Sequence, residues 1–71
     1  MWILDQTKKE VVNIKNYDSI VNLQGRIRAI RSNGNSFVNF GMYDPGRATQ
    51  VFEELLVSLA NGDQLFRMPE K

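Results

Sequence analysis

The 71-residue sequence contains no cysteine and no histidine. Without cysteine the chain forms no disulfide bonds, and without either residue type it lacks the usual ligands of a structural zinc site. The absence of histidine also removes the residue that most often transfers protons in enzymes. We therefore expect a protein without a metal or other cofactor, stabilised by its apolar core and by association with other chains.

Strong charge bias and long apolar runs are also lacking. The nine lysine and arginine residues nearly balance the eight carboxylates, so the net charge is +1. This is too small to indicate a nucleic-acid or membrane partner from composition alone. No apolar run approaches the roughly 18 residues of a membrane span, and the first residues are polar by Asp5. We expect no signal peptide and a cytoplasmic location.

The length is that of one domain, residues 1–71. A domain of this size buries only about 60% of the surface that its unfolded chain exposes, which leaves little margin of stability. Small chains compensate with disulfides, metals or oligomerisation. Since the first is excluded and zinc is not expected, we predict a homo-oligomer.

The first half of the chain has the pattern of β-strands. Residues 2–4 and 11–14 predict a first hairpin, and residues 16–19 predict a turn. The pair Asn33-Gly34 favours a two-residue hairpin turn, because both central positions need positive φ. This turn would place Ile30 opposite Phe37, Ala29 opposite Val38, Arg28 opposite Asn39 and Ile27 opposite Phe40.

That register predicts one apolar and one polar face, with Gly25 inside a strand as a bend or bulge. The predicted apolar face consists of Val21, Leu23, Ile27, Ala29, Val38, Phe40 and Met42. The predicted outer face consists of Asn22, Gln24, Arg26, Arg28, Ile30, Phe37 and Asn39. Ile20 is also expected on the outer face.

The second half predicts one helix. Its buried stripe is expected to contain Ala48, Val51, Phe52, Leu55, Leu56 and Leu59, with Ser58 on the opposite side. Asp44 is the expected N-cap, Pro45 the first helical residue and Gly62 the C-terminal stop. Residues 65–68 predict a last short strand. The predicted fold is α+β: an antiparallel sheet of four to five strands in the order β-β-β-β-α-β, with one helix across its apolar face.

Several short motifs resemble a group of small, mostly uncharacterised proteins of phages and mobile elements of Gram-positive bacteria. The motifs are Trp2-Ile3-Leu4, Gln6 with Lys8-Lys9, Val12-Asn13-Ile14, Phe40-Gly41-Met42-Tyr43, Arg47-Ala48 and Met68-Pro69-Glu70. The resemblance covers the whole chain and implies a compact sheet-plus-helix protein from a prophage or mobile element. It implies no catalytic residues.

The sequence gives no indication of an enzyme. Glu53 and Glu54 are adjacent, so on a helix they point about 100° apart and form no catalytic pair. No nucleophile with a neighbouring base, metal-ligand cluster or phosphate-binding loop motif is present. We therefore predict that the protein is not catalytic.

Ligand-binding candidates centre on the basic segment 26–31. Arg26 and Arg28 are predicted beside Phe37, an arrangement that suits a phosphate-bearing ligand or single-stranded nucleic acid. The alternative is a solvated strand whose arginine stems cover Phe37. Arg47 and Tyr43 are further candidates, although Tyr43 also suits the edge of the core. Asp44 is expected to occupy the free amides at the helix start and so to exclude a second anion there.

Interface candidates are the apolar residues that a small core does not accommodate. These are Ile30, Phe37, Val57 and Trp2. Several exposed apolar residues close together indicate an interface, either with a second copy or with another protein.

These observations predict a non-catalytic binding protein, of phage or mobile-element type, that binds a host factor or sequesters a small anionic ligand such as a nucleotide. Inhibition of host defence is the role that the resemblance suggests. The alternative is a nucleic-acid-binding module that uses the basic outer face of the sheet, against which the near-neutral net charge argues.

Overall fold

A computed structural model describes residues 1–32 and 36–71 of the chain. The turn predicted at Asn33-Gly34 lies outside the described residues. The elements are β1 (Trp2–Leu4), β2 (Val11–Asn13), a 3₁₀ turn (Ile14–Asn16), β3 (Ser19–Leu23), β4 (Arg26–Arg31), β5 (Ser36–Met42), α1 (Pro45–Asn61) and β6 (Leu65–Arg67). The predicted α+β class is confirmed.

The strands form two three-stranded sheets, so the predicted single sheet is wrong. Sheet 1 has the order β2-β1-β6, and sheet 2 has the order β3-β4-β5. The 3₁₀ turn ends β2 before the chain enters β3, and the Asn13 side chain accepts a hydrogen bond from the Lys15 amide at its start. The predicted first hairpin is confirmed as β1–β2. The predicted last strand, β6, pairs with β1 in parallel, which requires a crossover connection; here that connection includes α1.

The β3–β4 connection corrects the prediction for Gly25. Gln24 and Gly25 both have positive φ, 53° and 93°, as a two-residue hairpin turn requires. Gly25 therefore lies in a turn and not inside a strand. The reversal pairs Val21 with Arg28 and Leu23 with Arg26.

Because directly paired residues share a face, the predicted faces of β3 are reversed. Val21 and Leu23 belong to the outer face with the arginines. Ile20 pairs with Ala29 and packs against the core, contrary to its predicted outer position.

A β-bulge corrects the end of the β4–β5 register. The predicted pairs Ile30–Phe37, Ala29–Val38 and Arg28–Asn39 are confirmed, but Ile27 lies opposite Gly41 and not opposite Phe40. Phe40 is the extra residue of the bulge and stays in the core, and Met42 then lies opposite Arg26. Met42 therefore lies on the outer face, where its side chain is 63% exposed, and not on the predicted apolar face.

The two sheets and the helix enclose one apolar core. Its buried members are Ile3, Ile27, Ala29, Phe40, Tyr43, Ala48, Val51, Leu55 and Met68. The buried stripe of α1 ends in Ser58, whereas Leu56 and Leu59 are exposed, which corrects the predicted stripe. Burial of Ser58 is tolerated because its hydroxyl donates a hydrogen bond of 2.7 Å to Asp63.

The ends of α1 lie where the sequence predicted them, but the predicted role of the Asp44 side chain is wrong. Pro45 begins the helix, and Gly62 ends it in the left-handed conformation at φ 74°. Asp44 is the N-cap residue, but its side chain forms no capping hydrogen bond. Its backbone carbonyl instead accepts from the Ala48 amide at 2.8 Å, the first bond of the helix. The prediction that its carboxylate occupies the helix amides is therefore wrong.

Gly25 connects sheet 2 to the corner before the helix. Its carbonyl accepts a hydrogen bond of 2.9 Å from the Tyr43 amide. A β-carbon at Gly25 would lie 2.3 Å from the Tyr43 carbonyl oxygen, closer than such atoms approach in proteins. The position thus requires glycine for two reasons, the positive φ and the proximity of the Tyr43 backbone.

We predict that three glycine-to-alanine changes separate these two effects. Gly46→Ala, in open space near the helix start, should stabilise the protein by about 0.5–1 kcal/mol. Gly62→Ala, also in open space but left-handed, should cost about 1 kcal/mol. Gly25→Ala adds a backbone clash and should cost about 3 kcal/mol or more. Urea unfolding measures all three, and equal costs at Gly25 and Gly62 would contradict the proposed close contact.

Candidate functional site

The outer face of sheet 2 combines apolar side chains with two arginines. We call this surface the arginine face; its residues are Ser19, Val21, Leu23, Arg26, Arg28, Ile30, Phe37, Asn39 and Met42. The strand register places them together in three rows, Leu23–Arg26–Met42, Val21–Arg28–Asn39 and Ser19–Ile30–Phe37. The side chains of Leu23 and Phe37 are 49% and 52% exposed. Four residues that the sequence predicted for ligand binding or for an interface thus lie on one surface: Arg26, Arg28, Phe37 and Ile30.

Arg28 is held against Phe37. Its guanidinium carbon lies 4.4 Å from the centre of the Phe37 ring, within the range of a cation–π interaction. The Arg28 Nε atom is buried and has no hydrogen-bond partner among the described residues. The ring and the arginine stem therefore fix the orientation of the guanidinium, and no described acceptor compensates its Nε–H.

The positive charge of the arginine face is not balanced by a carboxylate on the same surface, in the part of the chain that is described. Asp5 lies at the rim, where it lines a cavity of about 270 Å³ together with Arg26, but no ion pair joins the two. The Asp5 carboxylate instead accepts hydrogen bonds from the Thr7 side chain and from the amides of Lys9 and Glu10. Desolvation opposes these bonds, which together lower the pKa of Asp5.

Gln6 positions the Met42 end of the arginine face. Its side-chain oxygen accepts from the Met42 amide at 2.9 Å, and its side-chain nitrogen donates to the carbonyls of Met42 and Glu70. Its own amide donates to the Phe40 carbonyl at the bulge. Gln6, two residues after the end of β1, thus holds β5 and the C-terminal segment together. The sequence reasoning missed this role, because no periodic pattern marks a single glutamine as a bridge.

Arg47 and Tyr43, the other predicted ligand-binding residues, are not part of the arginine face, although they line a cavity of about 410 Å³ together with Met42 at its end. Arg47 donates to the Lys71 carbonyl and lies 3.5 Å from Glu54. Tyr43 is 8% exposed, and its hydroxyl donates to the Pro69 carbonyl. Burial raises the pKa of Tyr43 to about 12, opposed by Arg47 and assisted by Glu54. Both side chains connect the helix corner to the C-terminal segment.

A second surface lies between α1 and β6. It is an open groove of about 750 Å³, which we call the acidic groove; it is lined by Glu53, Glu54 and Asp63 together with Val57, Leu65, Phe66 and Arg67. Val57 is 59% exposed. The register of sheet 1 pairs Leu65 with Trp2, whose side chain is also exposed. The predicted interface residues therefore divide between two surfaces, Ile30 and Phe37 on the arginine face, and Val57 and Trp2 in or beside the acidic groove.

Residues 1–32 and 36–71 form neither a metal-ligand cluster nor a membrane-spanning helix. No group of three or more carboxylates in these ranges is arranged to hold a metal ion. No helix formed by the same residues is long and apolar enough to cross a membrane.

No protein-family model, curated protein or solved structure matches the chain.

We predict that Gln6→Glu destabilises the protein by about 1–3 kcal/mol, because a carboxylate cannot donate to the two carbonyls and faces them with negative charge. The matched control is Gln64→Glu, the same charge change at an exposed side chain, which should have a small effect. Urea unfolding measures both. If the two variants have the same stability, the bridge contributes nothing.

A second prediction concerns alkaline unfolding. The folded-state pKa of Tyr43 is raised above its ordinary value of 10.0 to about 12, so its stabilising contribution is complete below pH 10 and is lost as pH rises through 12. In the Tyr43→Phe variant, the free energy of unfolding should therefore fall less between pH 10 and pH 12 than in the wild type. In a Tyr17→Phe background, which leaves Tyr43 as the one tyrosine, tyrosinate absorbance that rises before any loss of folded signal would contradict the prediction.

Proposed function

We propose that the protein is a non-catalytic binding protein, and that the arginine face docks on a partner protein whose surface has carboxylates around an apolar patch. The observation that carries the proposal is the composition of this face: five apolar side chains, two arginines and no carboxylate. Exposed apolar residues grouped in this way are typical of an interaction surface.

The chemistry of the face favours a protein over nucleic acid. Phenylalanine, methionine and arginine are enriched in the centres of protein interfaces. Binding of single strands usually relies on several stacking aromatic rings and on a groove with more positive charge. Here Phe37 is the one aromatic residue of the face, and Arg28 already covers part of its ring.

Sequestration of a small anionic ligand has less support. Small molecules usually occupy concave pockets that bury most of their surface. The described cavities are open grooves, and Arg47, which lines one of them, already contacts Lys71 and Glu54. The resemblance to phage and mobile-element proteins makes interference with host defence the role that we propose.

The proposal is tested by affinity capture from a lysate of the source organism. The wild type is compared with Arg26→Glu/Arg28→Glu and with Phe37→Ser. Lys9→Glu/Lys15→Glu is the matched control, because it reverses two exposed charges that are not part of the arginine face. We expect a protein that the wild type and the control retain and that both face variants lose, with thermal unfolding curves that show intact folding.

The purified pair then gives the affinity and its salt dependence. Charge reversal on the face should weaken binding about tenfold or more, with a moderate dependence on salt. A captured set that is the same for all four proteins contradicts the proposal. Tight, steeply salt-dependent binding of oligonucleotides that the face variants lose would instead support the nucleic-acid alternative.

A further inference from the structure

We propose that the partner of the arginine face is the acidic groove of a second copy of this chain, so that copies associate head to tail. This inference rests on the proposed function and names the occupant of the same surface. The two surfaces include three of the four interface residues predicted from the sequence, Ile30, Phe37 and Val57, and the fourth, Trp2, pairs with Leu65 of the groove.

The charges of the two surfaces are complementary. The arginine face carries Arg26 and Arg28, a charge of +2. In the acidic groove, three carboxylates and Arg67 leave −2. Glu54 lies 3.5 Å from Arg47 of its own chain, but the pair is exposed to solvent. Such a pair contributes little free energy, so an arginine from another copy can replace Arg47 at small cost.

The apolar parts of the two surfaces are complementary as well. Leu23, Phe37 and Met42 project from the arginine face. Val57 and Leu65 line the groove, and Trp2 lies beside Leu65 at its edge. Association would remove these side chains from water and bring a groove carboxylate to Arg28, whose guanidinium is already oriented by Phe37.

The placement of the surfaces excludes a simple two-fold dimer of this kind. The helix packs on the inner side of sheet 2, against β3 and β4, and the arginine face is the outer side of the same sheet. The groove lies on the helix side, between α1 and β6. One copy therefore offers its two surfaces to two different neighbours, and the contact produces a closed ring or an open chain.

The association also compensates for the small size of the domain. Large apolar side chains are exposed on sheet 1, sheet 2 and the helix, including Trp2, Phe37 and Val57. A chain of this length without disulfides has a limited core, and burial between copies supplies apolar contacts that the monomer lacks.

The test is complementation between two variants. The face variant is Arg26→Glu/Arg28→Glu, and the groove variant is Glu53→Gln/Glu54→Gln. Light scattering over a concentration series measures the mass of each alone and of their mixture. The wild type should show a mass that rises with concentration, and each variant alone should associate about tenfold more weakly or worse. Lys9→Glu/Lys15→Glu is the control and should behave as the wild type.

The mixture is the decisive sample. Each variant keeps one intact surface, so the face of the groove variant should bind the groove of the face variant. Both remaining surfaces are altered, so assembly should stop at a 1:1 dimer. The uncharged pair Phe37→Ser and Val57→Ser repeats the experiment without charge reversal, should either charged variant fail to fold.

Two results would overturn the inference. One is a wild-type protein that remains monomeric at the highest concentration reached in low salt. The other is a wild type that associates while the mixture forms no dimer, which indicates a contact between identical surfaces. If self-association is absent but a foreign protein is still lost with the face variant, the proposed function stands without this inference. If the face variant alters neither self-association nor the capture of a foreign protein, both this inference and the proposed function are wrong.

Discussion

The hydrogen bonds of Gln6 are the interaction on which the arrangement of the two sheets depends. Sheet 1 and sheet 2 share no strand. They meet where the Gln6 backbone donates to Phe40 and its side chain pairs with both backbone groups of Met42. A glutamine amide donates and accepts at once, so it can continue the edge of β5 as a further strand would. The residues that Gln6 contacts, Phe40 and Met42, lie at and beside the bulge.

The bulge and the Gln24-Gly25 turn together define the surface that we propose as functional. Without the turn, Leu23 and Val21 would belong to the core face, and without the bulge Met42 would do so. Each feature shifts the alternation of side chains along a strand by one residue, and such a shift moves a whole set of side chains to the other face. Three apolar side chains thereby join the two arginines, so a face expected to be mainly polar carries five apolar side chains.

The second surface, the acidic groove, exists because the small core does not cover all apolar side chains of α1 and sheet 1. Helix α1 is apolar over more of its circumference than one sheet covers, since Leu56, Val57 and Leu59 remain exposed beside the buried stripe. The parallel return of β6 beside β1 places Leu65 next to Trp2 and opens the groove against the helix. Carboxylates along this groove and arginines on the opposite side give one small chain two surfaces of opposite charge.

The sequence by itself determined the α+β class, the first hairpin, the ends of α1 and most of the β4–β5 register. These depend on local patterns, such as alternation of apolar residues and glycine or proline at particular positions. It also identified Arg26, Arg28, Phe37 and Ile30 as neighbours, because they lie on adjacent strands. Only the tertiary structure decided the division into two sheets, the position of Gly25 in a turn and the bulge at Phe40. These depend on long-range contacts, with Tyr43 against Gly25 and Gln6 against β5, which no local pattern encodes.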